Sequence, residues 1–523
     1  MADTMLDAMA DTLPGEMAHD LRGFIQLLED RGQLARITHP VSPALEMTEI
    51  VDRLSKGPTE QNKAILFENP QGYNMPVLMN MFGSAERAAW ALHVARLEDL
   101  TTNLAALLDV RLPQGPIKAF KRGKALLDAL RAAGLRPRRV RRAPVQEVIE
   151  VDAPSLDILP ILTCWPRDGG PFITLPQVVT RHPETGVRNV GMYRLQKVDA
   201  RTLIVHWQRH KGGAEHERAA LAVETDASRV GQKESGRSLP KEPGEHTIPA
   251  AVVLGGDPAS IWSASAPLPS DIDEYLLAGW LRGKPVPMVE CVTQPLEVPA
   301  NAEVVIEGFV DPNDQRLEGP FGDHTGYYTP VERFPAFHVT AVTRRETPIY
   351  PATVVGIPPM EDYWMGKATE RLFLPLAQLF LPEVVDFAMP VPGVFHNLVL
   401  ASIDKQFPGH ARKVIHGLWG LALLSLAKGI VVFDEWVDVH DPNEAAWQAL
   451  GNVDWARDVM ISDGPVDHLD HASYHHSFGG KIGIDATAKL PEEGYTRGWP
   501  EVARMDPAVK ESVDDLWEEL GLR

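Results

Sequence analysis

The sequence predicts a multidomain fold that mixes α/β and α+β parts. An α/β unit opens the chain, a strand-rich region fills its centre, and a second α/β unit closes it. Three observations predict this. The chain has 523 residues, room for about three or four domains. It is 44% hydrophobic and 23% charged, the balance of a chain that buries a core rather than one that stays disordered. Helical and strand periodicities alternate near both ends, whereas period-two patterning with frequent Gly and Pro turns runs from residue 145 to 343.

Charge and cysteine content exclude several classes. Acids outnumber Lys and Arg by 71 to 51, a formal charge of −20. That field repels phosphate backbones and disfavours broad nucleic-acid binding. Cys164 and Cys291 are the only cysteines, so a disulfide framework is excluded and a cysteine zinc site is disfavoured. Residues 1–20 carry acids and no long apolar run, unlike a secretory signal. The apolar run at 417–427 stops at Lys428, well short of the ~20 residues that span a bilayer. A cytoplasmic enzyme is the expected class.

In chain order, residues 1–19 read as a flexible leader. Asp20 caps a helix over 21–30 whose apolar face is Leu21, Phe24, Ile25, Leu27 and Leu28. Gly32 ends it. Strands follow at 34–37, 64–67 and 77–80, then a helix from Ser84 toward Leu97, giving an α/β domain over 20–117. Residues 118–144 form a basic linker with Arg136, Arg138, Arg139, Arg141 and Arg142 near its end, and Pro137 and Pro144 break any helix there. It reads as solvated, with an anionic membrane surface as the sharper alternative. The central domain, 145–345, carries strands at 148–151, 177–180, 188–195, 202–207, 248–254, 287–292, 303–310 and 336–343, and one helix over 271–282. This spacing predicts a β-barrel or sandwich. The last domain, 346–523, alternates a helix at 368–381, a strand at 397–403, a helix at 410–427 and a strand at 429–433. Asp434 then sits at the carboxyl edge of an open sheet. Beyond Pro465 the chain reads as irregular until an acidic helix at 507–520, and no internal repeat is visible.

The chemistry concentrates in Glu318-Gly-Pro-Phe-Gly-Asp323-His-Thr-Gly-Tyr-Tyr-Thr-Pro330, between two predicted strands. Two acids held close together can divide labour, one ionised and one protonated. The bland alternative is a Gly-rich hairpin with solvated acids. Asn189 and Arg194 lie five apart on one predicted strand, hence on opposite faces unless a bulge intervenes, and Gly191 is the place for one. Asn189, His210 and Glu274 are donors of the type that hold Mn or Mg beside phosphate, although a lone helical Glu is usually solvated. His468, His471, His475 and His476 form a loose tract whose spacing defines no metal site. Lys405 ends a strand, as a loop lysine or a phosphate ligand. No dinucleotide fingerprint, P-loop or nucleophile elbow is present.

Four of these stretches, in this order, resemble the UbiD family of decarboxylases that depend on prenylated FMN. They are Arg188-Asn-Val-Gly-Met-Tyr-Arg194, His210-Lys-Gly-Gly-Ala214, Glu274-Tyr-Leu-Leu-Ala-Gly279 and the stretch from Glu318 to Tyr328. The resemblance runs from Asp20 to the C-terminus. It implies an N-terminal α/β domain, a central FMN-binding split β-barrel and a C-terminal α/β domain that drives dimerisation. By similarity, Asn189, His210 and Glu274 hold Mn (or Mg) against the flavin phosphate, and potassium lies near Ser263, Ala264 and Ala266. Met192, Tyr193, Arg194, His206, Trp207, Gln208, Lys211, Gly212 and Lys405 match cofactor contacts. Arg194, Glu318 and Asp323 map to the catalytic residues, with Asp323 delivering a proton to the carbon that lost CO2. Burial is expected to raise the pKa of that acid.

The Asp-His-Thr-Gly-Tyr-Tyr version of the motif is most similar to the ubiquinone-pathway members, whose substrate is a 3-polyprenyl-4-hydroxybenzoate. Other aryl, heteroaryl or acrylic acids are the alternative substrates. A non-catalytic flavin scaffold and a metal-dependent hydrolase are the competing classes. The resemblance also implies a homodimer or homohexamer, a flavin prenyltransferase that supplies the cofactor, no nucleic acid, and at most peripheral contact with the inner membrane.

Overall fold

The computed structural model describes residues 19–108, 136–207, 213, 215, 217–218, 247–269, 272–517 and 519–521. The expected leader apart from His19, most of the basic linker, and Gln208, His210, Lys211 and Gly212 lie outside the described residues.

The first helix, Leu21–Asp30, forms as its sequence dictates. Asp20 accepts from Gly23 N at 2.8 Å, and Leu21, Phe24, Ile25 and Leu28 are buried on one face. Strands Leu34–Ile37, Ala64–Phe67 and Val77–Met79 then form a small sheet. Its fourth strand, Tyr350–Ala352, returns from far downstream and pairs in parallel with Val77–Met79. The helix expected from Ser84 to Leu97 is shorter. Ser84 caps Ala85–Ala91, and a separate helix, Glu98–Leu108, packs on the long helix Glu361–Phe380.

The central sheet has nine strands. Its path runs Phe172–Ile173, Leu195–Lys197, Thr202–Val205, Glu332–Arg344, Val304–Glu318, Ile248–Leu254, Gln177–Arg181 and Arg188–Gly191, with Val148–Glu150 added on Glu332–Arg344. Among the described residues the two end strands do not pair, so the barrel is not closed there. Side chains alternate between two cores. Ala250, Val252 and Leu254 enter one, while Ala251 and Val253 enter the other. Both faces of this sheet are therefore covered.

The strand expected over 188–195 is two strands. Arg188–Gly191 pairs with Gln177–Arg181, whereas Leu195–Lys197 pairs with Thr202–Val205 and Phe172–Ile173. Met192–Arg194 connects them outside both ladders, which removes the strict alternation that set Asn189 and Arg194 on opposite faces.

The C-terminal sheet runs Val384–Ala388, Leu398–Ile403, Gly429–Asp434, Phe478–Asp485 and Val459–Pro465. The stretch expected to be irregular beyond Pro465 thus includes a strand. Three glycines hid it, since Gly is a poor strand former. Gly483 is there for packing: a Cβ would lie 2.7 Å from Ile415 on the helix His410–Trp419. That helix stops at Trp419 rather than continuing to Ala427, and a short 3-10 turn, Ala422–Leu426, follows. Among the described residues no helix is long and apolar enough to cross a membrane.

Candidate active site

Glu318 is the last residue of the long strand Val304–Glu318. Gly319 turns the chain there at φ +92°, a conformation that favours glycine. The loop that follows is braced on both sides. Thr329 N donates to Phe321 O (2.8 Å), Gly322 N to Asp168 Oδ1 (2.9 Å) and Asp323 N to Tyr327 O (3.1 Å). A Cβ on Gly322 would fall 2.2 Å from the Trp165 ring. The stretch is hairpin-like, as the bland reading had it, but its acids are not solvated. Glu318 is 0% exposed and Asp323 7%.

Both acids converge on Arg194. Its Nε donates to Glu318 Oε1 (2.7 Å) and its Nη2 to Glu318 Oε2 (3.1 Å) and Thr329 Oγ1 (3.3 Å). Its Nη1 donates to Asp323 Oδ2. The guanidinium stacks 4.7 Å above the Phe321 ring. Behind it, His206 Nδ1 lies 3.3 Å from Glu318 Oε2. Burial pushes the Glu318 carboxyl up, but the His206 hydrogen bond and the Arg194 charge outweigh it and hold the group at about 2.

Asp323 departs from expectation. Burial works to raise its pKa, yet the His324 hydrogen bond and the Arg194 charge hold the carboxyl well below the usual carboxylate range. Asp323 Oδ1 accepts from His324 N (2.7 Å) and lies 2.8 Å from His324 Nδ1. Burial disfavours the charged form of His324, but Asp323 outweighs burial and raises its pKa. The pair therefore keeps its proton on the imidazole.

The resemblance gave three donors for a metal, and two are described. Glu274 opens the helix Glu274–Leu281, which Asp273 caps by accepting from Tyr275 N (2.9 Å). Arg188 Nη1 donates to Asp273 Oδ2 (2.6 Å), tying helix to strand, and Val190 N donates to Glu274 Oε2 (2.9 Å). This sets the carboxylate beside the strand that carries Asn189. Asn189 Nδ2 and Trp207 Nε1 are buried without a hydrogen-bond partner among the described residues. Burial, with little compensating charge, pushes Glu274 up to about 7. The unpartnered N–H donors suit an anion, and the buried Glu274 carboxylate, held by Val190 N, suits a cation beside it.

Of the expected cofactor contacts, Tyr193 and Trp207 meet edge to face at 5.0 Å, and Tyr193 Oη accepts from Gly213 N (3.1 Å). Met192 N donates to Ala264 O (2.8 Å), which brings the expected potassium segment beside Met192. There Ser263 Oγ donates to Ala259 O and Ala266 N to Ser263 O. Lys405 is not brought to this cluster. Its Nζ donates to Thr487 Oγ1 (3.0 Å), Ala488 O (2.9 Å) and Glu493 Oε2 (2.7 Å). An ammonium has three donors, so none remains for a phosphate.

Sequence reasoning gave no role to several residues found here. Asp168 and Thr329 brace the loop. His324 Nε2 lies 2.9 Å from His396 Nε2, and Asp467 completes the group. The His tract also folds against this region: His468 Nε2 lies 3.1 Å from Glu332 Oε2, and His471 packs on Tyr327 with centroids 4.1 Å apart. Only adjacency to Asp323 flagged His324. Nothing in the spacing flags His396 or Asp467, which arrive from distant segments.

A cavity of about 590 Å³ opens beside the cluster, between Met192 and His324 and the helix Glu361–Phe380. Its wall is mostly apolar, with Met365, Phe373, Phe380 and Phe395 among its lining residues.

A carboxylate–arginine–carboxylate cluster joined through His324 to an apolar cavity, between two α/β parts, is suited to handle an organic anion. The sequence families agree. The 3-octaprenyl-4-hydroxybenzoate carboxy-lyase N-terminal domain matches residues 25–107, the Rift-related domain of the same family matches 138–358, and its C-terminal domain matches 363–486. A protein of Archaeoglobus fulgidus with no assigned function is 48% identical over 502 residues, 96% of this chain and 98% of that one. The UbiD-class enzyme HmfF from Pelotomaculum thermopropionicum, solved with FMN, is 28% identical with a TM-score of 0.75, covering 94% of this chain and 98% of its own. Vanillic acid decarboxylase of Sedimentibacter hydroxybenzoicus, in its closed form, is 26% identical with a TM-score of 0.80, covering 97% and 100%. The protein is thus an enzyme of the carboxy-lyase class. The chain belongs to the UbiD family.

Proposed function

We propose that this enzyme is a non-oxidative, reversible decarboxylase of an aromatic acid that uses prenylated FMN, and that its substrate is a 3-polyprenyl-4-hydroxybenzoate of ubiquinone biosynthesis. The observation that carries this reading is the buried Arg194–Glu318–Asp323 cluster beside a deep apolar cavity. The bound flavin supplies a sink for the electrons left when CO2 departs. The chain supplies the rest. Arg194 orients the substrate carboxylate, and Glu318 fixes Arg194. Once a substrate carboxylate engages Arg194, the charge holding Asp323 ionised weakens. The proton then passes along the 2.8 Å contact from His324 to Asp323 and on to the carbon.

In this reading Asn189 and Glu274, with His210, would hold Mn or Mg, which would supply positive charge for the flavin phosphate, and carbonyls near Ser263, Ala264 and Ala266 would serve potassium. Met192, Tyr193, His206 and Trp207 flank the ring system. We place the domain limits near residues 117, 144 and 345, with the strand Tyr350–Ala352 crossing back to the first sheet. A flavin prenyltransferase supplies the cofactor to a cytoplasmic homodimer or homohexamer.

The cavity favours a prenylated ring. It extends from Met192, beside the flavin ring in this reading, past Phe373 to Phe380, which is 70% exposed. One five-carbon prenyl unit buried there is worth about 3–4 kcal/mol at ~0.8 kcal/mol per CH2. The remainder of the tail exits past Phe380. The second reading, an unprenylated hydroxyaryl acid, draws on the likeness to vanillic acid decarboxylase.

Co-expression with a flavin prenyltransferase, anaerobic handling and CO2 release from paired prenylated and unprenylated acids tests this. Turnover with a much lower KM for the prenylated member is expected. Equal KM values remove the prenyl assignment, and no CO2 from any acid removes the decarboxylase assignment.

A further inference from the structure

A second cavity, of about 520 Å³, adjoins the apolar one at His396 and Asp467. These two residues line both cavities. The second is less apolar than the first, with Lys428, Asp470 and His471 in its wall, and it reaches the exposed Tyr327 and Ile357 at the surface. From the active-site acid, contacts run without a gap to this wall. Asp323 Oδ1 lies 2.8 Å from His324 Nδ1, and His324 Nε2 lies 2.9 Å from His396 Nε2. An Asp467 carboxylate oxygen falls within 4.8 Å of the imidazole nitrogens. On the far side of its ring, His396 Nδ1 is buried without a partner among the described residues.

Decarboxylation consumes a proton for each CO2 released, so a buried acid that donates it must be refilled. We propose that His324, His396 and Asp467 form a proton relay that reloads the His324–Asp323 pair after each turnover, carrying the proton from the second cavity to the active site. This rests on the reading of Asp323 as the proton donor. The balance is simple. Asp323 passes the Nδ1 proton of His324 to the carbon as the C–CO2 bond breaks. His324 starts as the Nδ1–H tautomer, so its Nε2 lone pair takes the Nε2 proton of His396 as the Nδ1 proton leaves, His396 takes one on Nδ1 from water in the second cavity, and return of both rings to their starting tautomers resets the path. Asp467 stabilises the imidazolium in transit. No oxidant or reductant is required.

The charges around the path support this direction. Asp323, with Arg194 behind it, faces His324 from the loop. Asp362 faces it from the helix Glu361–Phe380, and His396 and Asp467 face it from the C-terminal part. Burial disfavours charge on His324, yet these acids raise its pKa, while burial and the His324 charge lower His396 to about 4. The resting proton therefore sits next to Asp323.

The same residues fit a metal less well. Two imidazoles on a tetrahedral cation with bonds of ~2.0–2.1 Å stand about 3.4 Å apart. The 2.9 Å separation is that of a direct hydrogen bond. The other His/Asp group, His19, His93 and Asp257, is filled already, since Arg282 Nε pairs with Asp257 at 2.8 Å.

The test uses the flavin-loaded enzyme with His396→Ala and Asp467→Asn. His324, His396 and Asp467 are positioning residues, so readouts beyond activity matter. His396→Ala is expected to lower kcat about a hundredfold with KM and the bound-flavin spectrum unchanged, and added imidazole restores it. Asp467→Asn shifts the alkaline limb of the kcat profile to lower pH, because the imidazolium loses a counter-charge. Wild-type kcat and pH profile in both variants overturn the relay, as does a kcat loss in His396→Ala that imidazole leaves unchanged. A stoichiometric metal that His396→Ala removes also overturns it. Failure of the wild type to release CO2 instead overturns the decarboxylase reading, so the two failures are distinguishable.

Discussion

Arg194 and Lys405 are both buried cations beside strand ends, each ringed by oxygen acceptors. Their side chains are 9% and 4% exposed. The difference lies in what each has left over. All three ammonium donors of Lys405 end on Thr487, Ala488 and Glu493 within the C-terminal part. Arg194 uses four of its five N–H donors on Glu318, Asp323 and Thr329. Among the described residues one donor on Nη1 has no acceptor, and its two acids connect onward to His206 and His324. A saturated cation is a structural tie. An incompletely saturated one, chained to titratable groups and set by a cavity, is equipped for a ligand.

The sharpest way to break this contrast is to replace both cations with Met. Removing one partner from a buried ion pair costs roughly 3–5 kcal/mol, because the remaining charge is stranded. Both variants should lose stability on that scale, read as a fall in denaturation midpoint. Arg194→Met should also lose CO2 release entirely. Lys405→Met, where it stays folded at low temperature, should retain wild-type kcat and flavin content. Loss of flavin from Lys405→Met alone would invert the comparison.

Asp323→Asn is the next largest effect. The amide keeps the shape and can still accept from His324, so flavin content should hold, while the thermal midpoint should fall because Arg194 loses one of its two buried carboxylate partners. Turnover should fall ~10²–10⁴-fold, the usual range for a lost general acid. Substrate hydrogen–deuterium exchange should vanish with it. Full activity in this variant would remove Asp323 as the donor.

How legible this site was in the sequence depended on how local its parts are. Asp20, Leu21–Asp30 and Ser84 carry their own capping and periodicity, and they form where the residues say. Glu318 and Asp323 stood out because turn residues and acids share a dozen positions. Their ionisation did not, since it depends on Arg194 and His324, which meet them only through folding. Lys405 sits at a strand end like a phosphate ligand, yet its partners come from more than 80 residues downstream. Phe478–Asp485 was hidden because three of its residues are glycine, of which Gly483 serves the packing of Ile415 rather than strand propensity. Residues whose role is set by long-range partners were the ones missed.

Acid titration sharpens the same contrast with a smaller effect. Glu318 has a folded pKa near 2, below its unfolded value near 4.5. A depressed acid contributes stability that is fully present above the unfolded value and lost as pH falls through the folded one. A shift of about 2.5 units corresponds to about 3 kcal/mol at 1.36 kcal/mol per unit. Wild type should therefore lose stability between about pH 4.5 and 2, and Glu318→Gln should show a flatter profile there. Parallel profiles in urea titrations would assign the pH dependence to other acids.

The smallest effect tests how the Arg194 segment is aimed. Gly191 ends the strand Arg188–Gly191, and the chain then leaves the ladder through Met192, Tyr193 and Arg194. An added Cβ at Gly191 would stand 2.2 Å from the Tyr193 ring. That ring cannot yield freely, because its edge meets Trp207 and its hydroxyl accepts from Gly213 N. Overpacking of this kind costs about 1–3 kcal/mol. If Tyr193 and Trp207 flank the flavin, Gly191→Ala should weaken flavin retention more than it lowers the melting temperature. The Arg194–Glu318 pair lies one residue beyond the clash, so kcat per bound flavin should fall only modestly. A variant that melts earlier yet holds flavin as tightly as wild type would place the cofactor away from Tyr193, and would leave Arg194 rather than its flanking aromatics as the feature that defines the site.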